Sequence, residues 1–108
     1  MPIYNKLVRD RIPVVIESTG KTFSKRILSN EEYIKELKNK SFEELEEYVQ
    51  AENDKDAIEE LADLLEIIHA LAECHGATIE TVEEVRQKKA EKRGGFKEKI
   101  FLIEVEDE

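Results

Sequence analysis

Four acidic residues, Glu44, Glu47, Glu60 and Asp63, form two pairs, E-x-x-E and E-x-x-D, with twelve residues between the pairs. At a spacing of three, two side chains project from the same side of a helix. Two such pairs on packed helices would bring four like charges together, and each buried carboxylate would cost several kcal/mol if left unpaired. Protons, basic partners or a cation must then neutralise them. An all-oxygen donor set suits a hard ion, Mg²⁺ or Mn²⁺, better than zinc. The opposite sign comes later in the chain, where Arg86, Lys89 and Arg93 recur at helical spacing. A cation site faced by Arg and Lys is what a polyphosphate needs, with the ion bridging some phosphate oxygens and the basic side chains taking the rest.

The elements that must position these residues can be read from punctuation and periodicity. "YNKLVRDRIPVVIESTG" reads as a loop into a short helix, with Pro13 early in it and Gly20 ending it. "TFSKRIL" alternates weakly, as a strand does. Ser29 and Glu32 form a capping box, from which a helix is expected over Asn30 to Ala51. "ENDKD" is a turn, with Asp56 and Glu59 at capping-box spacing, and a second long helix runs to about His75 before Gly76. Thr78 begins a third, ended by Gly94-Gly95. "KIFLIEV" closes the chain as a strand, with "TFSKRIL" as its candidate partner. The expectation is a mostly α bundle of one domain, residues 1–108, with a short N-terminal segment and a small β pairing.

A helix turns 100° per residue, so each acid can be placed relative to the apolar face. In the second long helix Leu61, Leu64, Leu65, Ile68, Leu71 and Ala72 define that face. Glu60 falls between Ile67 and Leu71, and Asp63 beside Ile67, Ala70 and Cys74, whereas Glu59, Glu66 and Glu73 lie opposite. In the first, Ile34, Leu37, Leu45 and Tyr48 set the face. Glu44 falls beside Leu37 and Ala51, Glu47 at the edge near Ala51 and Lys40, and Glu43 and Glu46 point away. In the third helix Arg86, Lys89 and Arg93 share the side marked by Ile79 and Val82. They either receive substrate phosphates or snorkel past the core to pair with the acids.

A net charge of −9 argues against general binding to nucleic acid or anionic membranes. One cysteine, Cys74, excludes an internal disulfide and suits a reducing compartment. No apolar run reaches the roughly 20 residues of a membrane span, and no secretory h-region opens the chain. The sequence reads as cytoplasmic.

In their order along the chain these residues resemble the MazG-like nucleotide pyrophosphohydrolases, an all-α superfamily whose mark is E-x-x-E followed by E-x-x-D. Here it reads "ELEE" (Glu44 to Glu47) and "ELAD" (Glu60 to Asp63). The opening "YNKLVRDRIP" and the later "KRGGF" look like flanking blocks of the phosphoribosyl-ATP pyrophosphohydrolase-like branch. Ser41 stands where that branch leads one to expect an apolar residue. The resemblance implies Mg²⁺-dependent hydrolysis of a nucleoside triphosphate between its α and β phosphates, giving a monophosphate and pyrophosphate. Mn²⁺ is a candidate substitute. It implies that Glu44, Glu47, Glu60 and Asp63 hold the metal, one glutamate of the cluster activating water, and that Lys89 and Arg93 receive phosphate. Lys6 and Arg9 are candidates to reach the site from the N-terminal loop, the alternative being salt bridges that pin the loop to acidic helices. Two long helices and one shorter one cannot cover their own apolar faces. Tyr33, Ile34, Tyr48 and the alanines of the second long helix leave surface for a second subunit to bury, and the resemblance likewise implies a homodimer or higher homo-oligomer. The substrate base is left open.

Two other readings compete. A di-iron carboxylate bundle needs two E-x-x-H pairs, and this chain has one, Glu66 to His69, on the polar side. An acidic helical adaptor or regulatory subunit fits the composition, yet leaves the inward acids unexplained. Stability with and without Mg²⁺ separates it from an enzyme.

Overall fold

The computed structural model describes residues 2–107 and holds four helices. Helix α1 spans Ile12–Ser18, α2 Asn30–Gln50, α3 Asp54–Cys74 and α4 Ile79–Arg93. The start of α2 is fixed by the expected capping box: Ser29 Oγ accepts from the Glu32 amide at 3.2 Å, and Glu32 accepts from the Ser29 amide at 3.3 Å. Arg26 also donates to Glu32 at 2.9 Å. The Arg26 hydrogen bond and the two from Ser29 hold the Glu32 carboxyl down to about 2.

Helix α3 starts three residues earlier than the Asp56–Glu59 spacing suggested. Its cap is Asn53, which accepts from the Asp56 amide at 2.8 Å and donates to the Asp56 carboxylate at 3.0 Å. An Asn satisfies two polar groups at once there, and the Asp56–Glu59 pair falls inside the helix. Asn53→Ala is expected to cost about 1 kcal/mol, measured as a lower urea midpoint at unchanged slope.

The connection between α2 and α3 is so short that the helices must run antiparallel, and they pack along one another as a hairpin. Leu37, Ile67 and Ala72 are its buried apolar residues. Gly76 turns the chain after α3 with φ +72°, a conformation that a residue with a Cβ adopts only at a cost. Helix α4 meets α3 and no other helix, and none of its described residues is buried.

The expected β pairing is absent: no strand occurs among the described residues. Residues 22–28 and 99–105 are irregular, and no backbone hydrogen bond joins them. An isolated two-stranded pair is marginal in water without a layer to pack on, and the hairpin offers these segments none.

Two long apolar stripes behave differently from the wheel reading. Leu45, Tyr48, Leu61, Leu65 and Ile68, placed on the buried faces, are exposed in the single chain, whereas Tyr33 and Ile34 are half-buried. The hairpin has used one flank of each stripe and left the other open. The radius of gyration is 18.7 Å, against about 13 Å for a compact domain of this length. The accessible area is 10388 Å², against about 6,200 Å² for a compact monomer of this mass. No helix among the described residues is long and apolar enough to cross a membrane.

Candidate metal centre

Glu44 stands seven residues after Leu37, and Glu60 seven before Ile67. Two helical turns thus separate acid from core on both arms of the hairpin, and antiparallel packing sets the acids level with each other. Glu44 is 9% exposed and has entered the core line itself. Glu47, one turn on, faces solvent beside it. Carboxylate oxygens of Glu44, Glu47 and Glu60 all lie within 4.8 Å of one another.

The chemistry of this trio is visible in what it lacks. Glu44 Oε2 and Glu60 Oε2 are both buried, and no donor from the described residues reaches either. Their near neighbours are other carboxylates, which accept and cannot donate unless protonated. Burial is the largest influence pushing the Glu44 carboxyl up, and the charges of Glu47 and Asp63 push it further. Glu60 is pushed up to about 7, first by its hydrogen-bonding contact with Glu44 and then by that with Glu47. Without a cation, a proton held among the three carboxylates would supply the donor they lack.

That proton has a stability consequence. Because the folded Glu60 titrates near 7 and the ordinary value is 4.5, the folded chain binds more protons than the unfolded chain between those limits. The contribution of Glu60 to the stability of the metal-free protein is therefore fully present below the ordinary value and is expected to be lost as pH rises through about 7. Thermal melts across that window, in the presence of a chelator, check the sign. A melting temperature rising through it would contradict the shared proton.

Asp63 is placed beside the trio and outside it. Its Oδ1 accepts from Arg9 Nη2 at 2.7 Å, an ion pair with both side chains partly exposed. Arg9 thus pins the N-terminal loop to α3, as one of its two readings required. An exposed pair of this kind contributes little stability, so Asp63 can exchange Arg9 for another cation at small cost. Lys6 is nearer the trio's open side. It lines a cavity of about 360 Å³ with Lys40, Glu43, Glu44, Glu46, Glu47 and Gln50. A second hollow of about 350 Å³ lies on the other flank, lined by Glu47, Glu59 and Glu60 among others. Glu47 borders both.

Helix α4 does not reach this centre. Arg86 is turned to Glu83 on its own helix, donating from Nε at 2.8 Å. Lys89 and Arg93 are exposed, and none of the three lines either cavity. The buried side that the wheel assigned to α4 does not exist in the single chain. In its place the structure brings Lys40 to the cavity, a residue whose position four before Glu44 was the available signal. Ser41 turns its hydroxyl inward to its own helix, donating to the Lys38 carbonyl at 2.6 Å, so the missing apolar group leaves the acids in place. His69 and Cys74 are half-buried and His75 exposed, and none joins the acidic trio.

No family model, curated protein or solved structure matches the chain.

Proposed function

We propose that the chain is a Mg²⁺-dependent nucleotide pyrophosphohydrolase of MazG-like type, acting between the α and β phosphates. The observation that carries this reading is the pair of buried, partnerless oxygens on Glu44 and Glu60 beside a third carboxylate. A buried acceptor without a donor is costly, and an acid trio that was merely structural would have met Lys or Arg instead. Glu44, Glu47 and Glu60 fit a hard cation, with Asp63 available once it leaves Arg9. When bound, Mg²⁺ would offset their charge, polarise phosphate oxygens and make water more acidic.

The residues themselves supply the remaining parts. Lys6 and Lys40, on the cavity beside the trio, receive phosphate oxygens. Arg9, paired with Asp63 in the metal-free chain, would be free for the same task if Asp63 also held the cation. Glu47, exposed and bordering both hollows, takes the proton from the attacking water. Oxygen of that water bonds to the α-phosphorus, the bridging oxygen departs with its electron pair on pyrophosphate, and a nucleoside monophosphate remains.

The exposed stripes belong to a homo-oligomer in this reading. Phe42, Leu45 and Val49 form one stripe on α2, and Ile58, Leu61, Leu65 and Ile68 another on α3. Each lies roughly a third of a turn from the shared core in the same rotational sense. In an antiparallel pair that puts both on one side of the hairpin. Two hairpins joined through that side make a four-helix bundle. In this reading the enzyme is cytoplasmic and acts on a nucleotide, and its net charge of −9 argues against nucleic acid or an anionic membrane as partner.

A panel of nucleoside triphosphates, incubated with Mg²⁺ in heavy-oxygen water, tests the reaction. Label in the monophosphate, or in pyrophosphate through attack at the β-phosphorus, supports cleavage between α and β. Label in inorganic phosphate alongside a diphosphate would overturn it, as would no turnover of any nucleotide with Mg²⁺ or Mn²⁺.

A further inference from the structure

The C-terminal segment carries a run of strongly exposed apolar side chains. Phe101 is 88% and Ile103 86% exposed, and Ile100, Leu102 and Val105 are also open. In sequence these form an unbroken run from Ile100 to Ile103. Alternate residues of an extended segment face opposite ways, so both faces of this one would be apolar. Such a segment needs cover on both sides, and left bare it invites uncontrolled association. The chain leads into it through a turn in which the Lys99 amide donates to the Phe96 carbonyl at 3.2 Å, with Lys99 in the left-handed region at φ +58°. The turn carries the segment away from the helix end.

We infer that this arm, residues 99–105, lies along residues 21–28 of a second copy of the chain, reciprocally in both copies. Three observations point there. No backbone hydrogen bond joins the two segments within one chain, and apart from the Lys99 amide, held by Phe96, their amides and carbonyls are open to a neighbour. Their charges are complementary: residues 21–28 contain Lys21, Lys25 and Arg26 and no acid, whereas the arm has Lys99 at its start and Glu104 near its end and runs on into Glu106 and Asp107. With Arg26 already held by Glu32, the two lysines remain for the acids. The area also fits. The chain exposes roughly 4,000 Å² more than a compact monomer of its mass would, whereas a stable dimer needs about 800 Å² from each partner. That excess accommodates the arm contact in addition to the hairpin face. A second copy rather than a foreign protein is the occupant because each chain carries one arm and one acceptor. A reciprocal pair uses both and closes the exchange at two copies.

Lysines at both places make the arrangement directly measurable. Ordinary and heavy-nitrogen-labelled full-length chains are mixed in equal amounts in denaturant, refolded together and treated with a short amine-reactive cross-linker. Links joining Lys21 or Lys25 to Lys97 or Lys99 are then read by mass spectrometry. The expected result is mixed-isotope pairs as abundant as same-isotope pairs. Ile103→Asp is expected to remove these links while leaving helical circular dichroism unchanged. Same-isotope pairs alone would mean closure within one chain and would overturn the inference. Links from arm to arm only, no link at all, or links that survive Ile103→Asp would overturn it as well.

Discussion

Replacing Glu44 with glutamine is expected to raise the melting temperature of the metal-free protein while abolishing both its response to Mg²⁺ and its release of pyrophosphate. The substitution keeps the shape of a side chain that is 9% exposed and removes its charge. It also supplies an amide donor within reach of Glu60 Oε2, which now has none. Relief of even about 1 kcal/mol would shift the midpoint by about 4–8 °C in a domain of this size. Loss of a carboxylate that would hold the cation in the proposed reaction should lower turnover by about 100-fold or more. The two effects have opposite signs, which separates this site from a structural acid, whose loss would lower stability. Glu66→Gln, an exposed acid outside the trio, is expected to change neither. If Glu66→Gln matched Glu44→Gln, the trio would lose its special standing.

Leu65→Asp should act through assembly. Leu65 is 49% exposed at the centre of the outward stripe of α3, so in a lone chain an aspartate there would sit at the water boundary and be tolerated. At a two-fold contact the same change strikes both copies. Burying a leucine contributes about 1.5–3 kcal/mol. The loss across both copies is then about 3–6 kcal/mol, or two to four orders of magnitude in the dissociation constant. Sedimentation over a concentration series would read it. An unchanged association constant would remove the hairpin face from any interface, leaving the arms to be judged by their own cross-links.

What could be read from the sequence follows from what a helical wheel knows. Glu44 and Glu60 were legible because their angular position depends only on the 100° step, and α2 and α3 are long enough for that step to define a face. Their burial then followed from packing against each other. Asp63 had the right angle as well, but the wheel carries no information about the loop that brings Arg9 to it. Helix α4 failed for a related reason. Arg86, Lys89 and Arg93 do share a side, yet a side is buried only if another element covers it, and α4 meets α3 alone. Lys40 was overlooked as a cavity residue because its position at the edge of the first wheel was read only as a neighbour of Glu47. The strands were misread because alternation in "TFSKRIL" and "KIFLIEV" describes a tendency, and pairing needs a layer to rest on that one chain does not provide.

The short link from Gln50 to Asp54 has a kinetic consequence. Helices joined so closely find each other by local collapse, and closing a loop of this kind takes well under a microsecond in free chains. The hairpin is thus a fast, unimolecular product whose contacts are few residues apart near the turn. In the proposed homo-oligomer a second molecule covers its outward face, so that step scales with protein concentration. Refolding followed by helical circular dichroism should therefore begin with a phase indifferent to dilution and finish with one that slows in proportion to it. Between the two phases the chain would hold its acids together with its greasy side still wet, the interval in which crowding most readily diverts it to aggregates.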